Sequence, residues 1–365
     1  MNFHAVIIQN IIQETDDTYS FVCKIPNEIS GQFMHVAGQY ITVKAMISDK
    51  EIRRPYSINS LPGSQDFSFT VKKVSGGIMS NYLPTLPVGT FLEVSAPEGH
   101  FQLKPDHTKT RSHYFIAAGS GITPVMSMIQ TALEEEPRSS CYLLYGSRDE
   151  ENIIFKNAID SLCQKYQQQL HVTYIVSRPK KSKTKGVAGW FGQKKTDWKG
   201  LVGRIGMSEL LSFLQKNPSR YPEKHYYICG PGDMIEVVEK TLLALPADSK
   251  NIHKEFFTPA RPVGEKSSSE VLNGKSNIQV ILKGKTYHFD IDKNKVILDQ
   301  LVEQKIDPPY SCTSGACSTC IAKVTRGEVT MDVCYALESD EVEAGFILTC
   351  QAKAVSDDVS LTYDV

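Results

Sequence analysis

The sequence lacks three features, and each absence excludes a class of protein. No apolar run reaches the roughly 18 residues that a membrane-spanning helix needs. The start of the chain, MNFHAVIIQN, has no Lys or Arg ahead of its short apolar stretch, so it does not have the form of a secretory signal. Neither charge sign is in large excess, with 40 basic and 41 acidic residues, which excludes a polycation that coats nucleic acid and an acidic disordered tail. We therefore expect a soluble, cytoplasmic protein that has neither nucleic acid nor a membrane as its partner.

The nine cysteines do not form the pattern of a disulfide framework. Their number is odd, and five of them fall within the last 54 residues, at Cys312, Cys317, Cys320, Cys334 and Cys350. A local cluster of cysteines in a chain without the form of a secretory signal favours a metal centre in a reducing compartment.

The 365 residues suffice for two or three domains, and the sequence pattern changes along the chain. Residues 1–107 hold short runs rich in β-branched and aromatic residues, separated by Gly, Pro, Asn and Asp, which predicts a small antiparallel barrel or sandwich. Residues 108–257 alternate apolar strands with helices, which predicts a parallel sheet covered on both faces. Residues 258–276 lack apolar periodicity and predict a linker, and residues 277–365 predict an α+β module.

Charge is distributed unevenly between these regions. Residues 277–365 contain 8 basic and 14 acidic residues, a net charge of −6, whereas the preceding part contains 32 basic and 27 acidic residues, a net charge of +5. Much of the positive charge lies between Arg178 and Lys199, with eight basic residues and one acidic residue, and both tryptophans fall there as well. The basic segment 180–202, which overlaps this stretch, is either a docking element for an acidic surface or an ordered lobe with Trp190 and Phe191 packed inward.

Four of the clustered cysteines follow the spacing of iron–sulfur ligands. Cys312-x4-Cys317-x2-Cys320, followed after 29 residues by Cys350, matches the plant-type [2Fe–2S] ferredoxin pattern. A structural zinc site with four cysteines is the alternative, but such sites more often use two paired C-x2-C knuckles, and this loop has one. We predict these four cysteines as metal ligands and Cys334, which is off the spacing, as a packed neutral thiol.

Two glycine-containing turns follow apolar strands of the predicted parallel sheet. The first, GSGITP at 119–124, opens a helix whose N–H groups and dipole suit a diphosphate, although its sixth residue is Pro rather than the Gly of the G-x-G-x-x-G motif. The second, CGPGDM at 229–234, follows a later strand, at the edge where α/β sheets bind ligands. Taken alone, each turn is explained nearly as well as an ordinary helix start.

Two segments of the first region also suggest a nucleotide cofactor. RPYS at 54–57 places a cation, an aromatic ring and a hydroxyl on one short segment, and GGIMS at 76–80 follows about 20 residues later, ahead of a short helix. An arginine and a helix N-terminus that converge can bind a diphosphate, and a tyrosine ring can stack on a flavin. Taken alone, either segment is more often only turn and core.

In their order along the chain, these motifs resemble the ferredoxin–NADP reductase superfamily. The patterns are R-x-Y-S, G-G-x-x-S, G-S-G-I-T-P and C-G-P-x-x-M, and the cysteine module follows them, as it does in oxygenase reductases with a C-terminal plant-type ferredoxin domain. The reductase subunits of ring-1,2-phenylacetyl-CoA epoxidases are similar over essentially the whole chain, in stretches such as APEGHF, YICGP and IHKEFFTP. The resemblance implies an N-terminal β-barrel flavin domain, an α/β nucleotide domain and a β-grasp ferredoxin domain.

The resemblance also implies how FAD would be held. Arg54 would bind the diphosphate, Tyr56 would pack on the isoalloxazine ring, and Ser57 would hydrogen-bond near the flavin N5. Phe257 would lie near the flavin, although a core position on the last strand explains it nearly as well. Further contacts to the diphosphate would come from Gly77, Ile78, Met79 and Ser80.

The nicotinamide nucleotide would bind across the two glycine turns. Its expected contacts are Gly119, Gly121 and Thr123 from the first turn and Cys229, Gly230, Pro231 and Met234 from the second. The resemblance thus implies a site of hydride transfer at Tyr56, Ser57, Cys229 and Phe257.

The tripeptide Val176-Ser177-Arg178 favours NADPH over NADH. It follows the third apolar strand of the nucleotide region, where NADP-specific relatives carry a similar Ser-Arg pair. The Arg178 guanidinium could bind a 2′-phosphate in bidentate fashion, and no Asp or Glu directly follows this strand to accept from a free ribose hydroxyl. A solvated basic loop is the alternative.

These predictions together describe an oxidoreductase that passes electrons from NADPH through FAD and a [2Fe–2S] cluster to an oxygenase. The resemblance implies a diiron oxygenase of phenylacetate degradation. The same chemistry with NADH, or with a Rieske oxygenase, a desaturase or a hybrid-cluster protein as acceptor, is the first alternative. A redox sensor or passive carrier without turnover is the second.

Overall fold

A computed structural model describes residues 1–180, 196–257 and 274–365. In these ranges the chain forms three sheets of five or six strands and a separate two-stranded sheet. No helix in the same ranges is long and apolar enough to cross a membrane. Each of the three larger sheets belongs to one of the predicted regions, here called the barrel, the nucleotide domain and the cysteine domain.

The barrel is an antiparallel sheet with one short helix, α1 (Ile78–Tyr82). Its strands are β1 (Phe3–Thr15), β2 (Thr18–Lys24), β3 (Tyr40–Ile47), β4 (Lys50–Ser57), β5 (Asp66–Lys72) and β6 (Phe91–Ser95). They pair in the order β4-β3-β6-β1-β2-β5, and a bridge between Ile58 and Phe69 brings the two ends of the sheet together. Alternate residues face inward, as Val6 and Ile8 do on β1, because successive strand side chains point to opposite faces.

The nucleotide domain is a parallel sheet with helices on both faces. Its strands are β7 (Ser112–Ala118), β8 (Ser140–Ser147), β9 (Leu170–Val176), β10 (Leu201–Val202), β11 (Lys224–Gly230) and β12 (Ile252–Phe256). Its helices are α2 (Ile122–Glu135), α3 (Lys156–Lys165), α4 (Met207–Lys216) and α5 (Gly232–Ala244). The strand order is β10-β9-β8-β7-β11-β12, so β8, β9 and β10 lie on one side of β7, and β11 and β12 lie on the other. The gap between β7 and β11 is therefore the point where a doubly wound sheet binds its ligand.

The cysteine domain packs a helix on a mixed sheet, in agreement with the predicted β-grasp form. Its strands are β13 (Lys275–Leu282), β14 (Lys285–Asp292), β15 (Ile321–Arg326), β16 (Val329–Met331), β17 (Phe346–Leu348), β18 (Ala352–Ala354) and β19 (Asp358–Thr362), and its helices are α6 (Ile297–Glu303) and α7 (Ser339–Glu343). The sheet order is β14-β13-β19-β15-β17. Ile297 and Leu301 of α6 are buried with Ile278 and Val359 of the sheet, which forms the small core of this domain.

Two regions singled out by the sequence lie partly outside the described residues. Of the predicted linker, 258–273 is outside, and β13 begins at Lys275, two residues before the predicted start of the last domain. Of the basic segment, residues 181–195 are outside, and Trp190 and Phe191 are among them. The choice between a docking element and an ordered lobe therefore falls outside the described residues. The second tryptophan, Trp198, packs against the core of the nucleotide domain, and its Nε1 donates to the Leu201 carbonyl at 2.9 Å. The domain limits therefore stay a prediction.

Candidate functional site

A cavity of about 460 Å³ lies where the three domains meet. Its volume falls within the range of about 300–1,000 Å³ that is usual for ligand pockets. The structure brings many of the predicted site residues to its wall, from all three domains. These are Arg54, Tyr56, Ser57, Gly77, Ile78, Met79, Ser80, Thr123, Phe257, Cys312 and Cys317.

Strand β4 contributes a cation, a ring and a hydroxyl to this wall. Arg54 and Tyr56 lie two residues apart on a strand and so share one face. The Tyr56 ring lies 5.5 Å from that of Phe69, and burial raises the pKa of the Tyr56 phenol, so it stays protonated. Ser57 is 4% exposed at the end of the strand. This part of the cavity wall therefore carries a fixed aromatic surface with a hydroxyl beside it.

The turn before α1 leaves little room for a side chain at Gly77. A Cβ on Gly77 would lie 2.3 Å from Ser80 Oγ and 2.6 Å from Val74 Cγ2. Asn81 Nδ2 donates to the Val74 carbonyl at 2.9 Å and so secures the turn. Of the two apolar residues here, Met79 is buried in the barrel core, whereas Ile78 is half exposed. The turn therefore leaves the two glycines and Ser80 on the cavity wall beside these residues, and their predicted contact with a diphosphate stays a prediction.

The two glycine turns of the nucleotide domain touch each other. A Cβ on Gly121 would lie 2.1 Å from the Cys229 carbonyl oxygen, so only glycine allows β7 and β11 to end side by side. Thr123 Oγ1 donates to the Ser120 carbonyl at 2.9 Å, and both residues line the cavity. Gly119 has a φ of +56°, a left-handed conformation that favours glycine. These contacts explain the glycines of the GSGITP motif by the close packing between the ends of β7 and β11, at the switch point of the sheet.

The second glycine turn is mostly inside the domain. Cys229 is fully buried, and burial raises the pKa of its thiol well above the ordinary value. The Met234 side chain packs in the core, Gly230 is buried beside it, and Pro231 is exposed. None of these four is on the wall of the large cavity. Their predicted contact with nicotinamide stays a prediction.

Ser177 and Arg178 follow strand β9, at the carboxyl edge of the parallel sheet but away from the two glycine turns. The Arg178 N–H donates to the Arg148 carbonyl at 2.7 Å, and the Arg178 side chain is exposed. In the strand order, β9 is three positions from β11, a lateral distance of about 14 Å at the usual strand spacing. The pair is therefore remote from the cavity, at the position where the far end of a dinucleotide laid across the strands would reach.

The four predicted metal ligands converge in one buried group. Interactions among the thiols couple Cys312 to Cys317 and Cys350, and Cys320 to Cys350, and those with Cys317 and Cys350 hold the pKa of Cys312 well below the ordinary value. Cys317, Cys320 and Cys350 are 6%, 1% and 4% exposed. Within the described ranges no three His, Cys, Asp or Glu side chains are set to hold a single metal ion. Four converging thiols are the donor set of a [2Fe–2S] cluster, which takes four cysteine ligands.

The loop that carries these cysteines is shaped by a glycine and a backbone donor. Gly315 has a φ of +73°, and a Cβ on it would lie 3.1 Å from the Val333 carbonyl oxygen. The Ser314 N–H donates to Cys312 Sγ at 3.4 Å. Cys334 is half-buried and burial raises its pKa, which agrees with a packed neutral thiol. The residues present therefore fit a plant-type cluster.

Polar contacts hold the cysteine loop against the barrel. Thr42 Oγ1 donates to Ser311 Oγ at 2.9 Å, next to the first cysteine of the loop. Arg53 Nη2 donates to Asp307 Oδ1 at 2.8 Å, and its guanidinium lies 4.3 Å from the centre of the Tyr310 ring. Arg53 neighbours the cavity-facing arginine of β4 and points to the other side of the strand. One strand thus borders both the cavity and the cysteine domain.

Sequence reasoning missed Glu255, which lies on the cavity wall at the end of β12. Its Oε2 atom is inaccessible to solvent and has no hydrogen-bond partner among the described residues. Burial raises the pKa of this carboxyl to about 8. A signal was present in the sequence, because an acidic residue near the carboxyl end of a predicted strand lies at the ligand edge of a parallel sheet.

Comparison with known proteins accounts for each domain. Residues 5–103 match the model of the oxidoreductase FAD-binding domain, residues 115–240 that of the oxidoreductase NAD-binding domain, and residues 280–355 that of the 2Fe-2S iron-sulfur cluster binding domain. The chain is 35% identical to one of the subunits of the 1,2-phenylacetyl-CoA epoxidase of Escherichia coli K12, over 99% of this chain and 98% of that protein. The chain belongs to the ferredoxin–NADP reductase family. Within this family it is an oxidoreductase of the type that serves oxygenases, with FAD, a nicotinamide nucleotide and a [2Fe–2S] cluster.

Other members of the reductase family match along the same length. The ferredoxin reductase component of the 3-ketosteroid-9-alpha-monooxygenase of Mycolicibacterium smegmatis is 31% identical over 98% of this chain and 96% of that protein. The solved phthalate dioxygenase reductase is similar in fold, with a TM-score of 0.57, 24% identity and coverage of 99% of this chain and 98% of that one. The predicted family, fold and redox class are thereby confirmed, and the roles of individual site residues stay predictions.

Proposed function

We propose that this reductase takes electrons from NADPH and delivers them to an oxygenase of the phenylacetyl-CoA epoxidase type, a diiron enzyme, in the cytoplasm. The chain is 35% identical, over 99% of its length, to a component of a phenylacetyl-CoA epoxidase, and this similarity supports an oxygenase of that type as the electron acceptor. The nine cysteines, none of which forms a disulfide, support a reducing compartment. The observation that carries the proposal is that Cys312 and Cys317 lie on the same cavity wall as the flavin motifs.

The residues of the cavity would hold FAD in the orientation that this reaction needs. Arg54 would pair with the diphosphate beside the backbone of Gly77 and Ser80, while Tyr56 and Phe257 would enclose the ring system and exclude water. When bound, FAD supplies the conversion between two-electron hydride chemistry and the one-electron chemistry of an iron–sulfur centre. The protein contributes position and electrostatics rather than an acid–base triad.

Glu255 would hold a proton at the cavity. Its carboxyl is protonated below pH of about 8 because burial disfavours the carboxylate. A neutral carboxyl with an unpartnered oxygen can donate to a ring nitrogen or to water at this wall. Ser57 and Glu255 are two of the groups on the wall that could hold or move a proton beside a bound ring system.

Opposite charges support docking of the cysteine domain in this place. The cysteine-containing part carries a net charge of −6 and the rest of the chain +5. Among the described residues, two ion pairs cross the interface, Arg53 with Asp307 at 2.8 Å and Lys254 with Glu338 at 3.6 Å. Both place a basic residue of the reductase part against an acidic residue of the cysteine domain, which favours a defined orientation at the cavity.

The choice of NADPH is tested with Arg178→Ala. We expect the KM for NADPH to rise at least about tenfold and the KM for NADH to change little, because a charge-assisted pair with the 2′-phosphate is worth about 1.5–3 kcal/mol. Lys180→Ala is the matched control, because Lys180 is already paired with Glu151. An equal response to both nucleotides would remove the basis for NADPH.

The acceptor is tested by reconstitution with oxygenase components. With the oxygenase subunits of a phenylacetyl-CoA epoxidase, we expect NADPH oxidation to depend on both the oxygenase and phenylacetyl-CoA. The 31% identity to a reductase of 3-ketosteroid-9-alpha-monooxygenase makes that oxygenase the second candidate. Turnover with the second oxygenase and none with the first would replace the proposed acceptor.

A further inference from the structure

Tyr40 connects the barrel to a predicted cluster ligand through a single intervening residue. Its hydroxyl lies 2.8 Å from Thr319 Oγ1 in the cysteine domain. Thr319 Oγ1 in turn lies 3.4 Å from Cys317 Sγ. Tyr40 and Cys317 also both line the large cavity. A residue of the flavin domain is therefore hydrogen-bonded to the immediate surroundings of the cysteine group.

The barrel holds the Tyr40 side chain firmly in this place. Tyr40 forms a two-way backbone bridge with Glu98, with N–H to carbonyl distances of 2.9 and 2.8 Å. Its ring packs over Gly99, where a Cβ would lie 2.9 Å from two ring carbons. The side chain is 5% exposed, and burial raises the pKa of its hydroxyl well above the ordinary value. The hydroxyl is therefore a protonated, fixed donor.

The chemistry of a ligated cysteine sets the direction of the hydrogen bonds. A cysteine bound to iron is a thiolate, which accepts hydrogen bonds and cannot donate them. In the contact with Cys317 Sγ, Thr319 is then the donor, and its hydroxyl oxygen is free to accept from Tyr40. Glu98 Oε2, also 3.4 Å from Thr319 Oγ1, is the competing acceptor for that hydrogen. Donation from Tyr40 turns the threonine lone pairs toward the tyrosine and helps to orient its O–H toward sulfur.

We propose that Tyr40 is a positioning residue that raises the reduction potential of the [2Fe–2S] cluster from the neighbouring domain, by orienting Thr319 as a donor to Cys317. Reduction adds negative charge to the cluster and its sulfurs, and hydrogen bonds to sulfur stabilise that charge. The proposal rests on the proposed role of Cys317 as a ligand. Because Tyr40 belongs to the barrel, its contribution exists only while the two domains are in contact.

The test is an anaerobic redox titration of the full-length, cofactor-loaded protein and its Tyr40→Phe variant. The phenylalanine keeps the ring and removes only the donor. We expect the ratio of reduced to oxidised cluster at a fixed potential to fall by about three- to tenfold, a shift of about 28–59 mV to lower potential for a one-electron couple. The electron paramagnetic resonance spectrum of the reduced cluster reports the same change at the sulfur independently of turnover.

Two further variants separate tuning from docking. Thr42→Val removes the hydrogen bond from Thr42 to Ser311, which crosses the same interface and is buried like that of Tyr40. It should leave the reduction potential of the cluster unchanged. Thr319→Val should lower the potential, and adding Tyr40→Phe to it should cause no further shift, because coupled residues are not additive. Thr319→Val also provides the readout if Tyr40→Phe fails to fold.

Each outcome decides one claim. A cluster potential equal to that of the wild type in Tyr40→Phe, an equal shift in Thr42→Val, or additive shifts in the double variant would overturn the tuning role of Tyr40. A wild-type protein that folds and binds flavin but assembles no cluster would instead overturn the ligand assignment of Cys317 and the proposed function with it.

Discussion

Replacement of Glu255 by glutamine should stabilise the protein, and more so at high pH. Glu255 carries a buried carboxyl oxygen without a partner among the described residues, and burial raises its pKa from 4.5 to about 8. Because the folded state has the higher pKa, it binds a proton between pH of about 4.5 and 8 that the unfolded chain has lost. Stability therefore falls as the pH rises through this window and is constant above it.

The size of the effect follows from the two pKa values. At about 1.36 kcal/mol for each pKa unit, the carboxyl destabilises the fold by about 1.4 kcal/mol at pH 5.5 and about 4.7 kcal/mol at pH 9. Glutamine has the same shape and no charge, so Glu255→Gln should remove this pH dependence. The advantage of the variant should therefore grow by about 3 kcal/mol between the two pH values, or about 6–12 °C in Tm for a domain of this size.

The assay is thermal unfolding of the cofactor-loaded protein at pH 5.5, 7 and 9, followed by circular dichroism. Glu135→Gln, at an exposed position near the end of α2, is the matched control and should show the pH dependence of the wild type. Parallel Tm curves for Glu255→Gln and the wild type would show that Glu255 is ionised in the folded state. That result would refute the burial argument and also the role of Glu255 as a proton holder at the cavity.

Three further changes test the modules and their contacts. Cys350→Ser should reduce the visible absorbance of the cluster, while reduction of the flavin by NADPH, followed by stopped flow, persists. Arg53→Met should slow cluster reduction but not flavin reduction, because it removes an ion pair and a stacking contact with Tyr310 worth about 2–3 kcal/mol of docking. Gly121→Ala should lower Tm by several degrees and raise the KM for NADPH, because its Cβ would meet the Cys229 carbonyl at 2.1 Å.

Each of these expectations has a contrary result. Loss of flavin reduction in a folded Cys350→Ser protein would contradict the modular scheme. Wild-type rates of cluster reduction in Arg53→Met would show that the ion pair does not hold the domains together. An unchanged Tm and KM in Gly121→Ala would mean that the turn can open to admit a methyl group.

The sequence by itself was sufficient for the features that depend on local backbone and spacing. The C-x4-C-x2-C loop, the alternation of strands with helices and the RPYS and GSGITP segments each reflect short-range requirements, so the family, the fold and the redox class could be predicted. The close contact of Gly121 with Cys229 illustrates the reason, because a glycine forced by backbone packing is visible as a motif. Whether each motif bound a ligand or was only a turn could not be decided in this way.

Only the tertiary structure decided which of these residues meet. The common cavity of Tyr56, Phe257 and Cys312 joins three domains, and such proximity depends on how the domain surfaces pack rather than on local pattern. Glu255 and Tyr40 belong to ordinary strand sequences, and they matter because burial at the junction changes their chemistry. Desolvation and hydrogen bonding across domains are properties of the assembled chain, so strand position alone could place Glu255 at the ligand edge but could not show its altered pKa or the contact of Tyr40 with the cysteine domain.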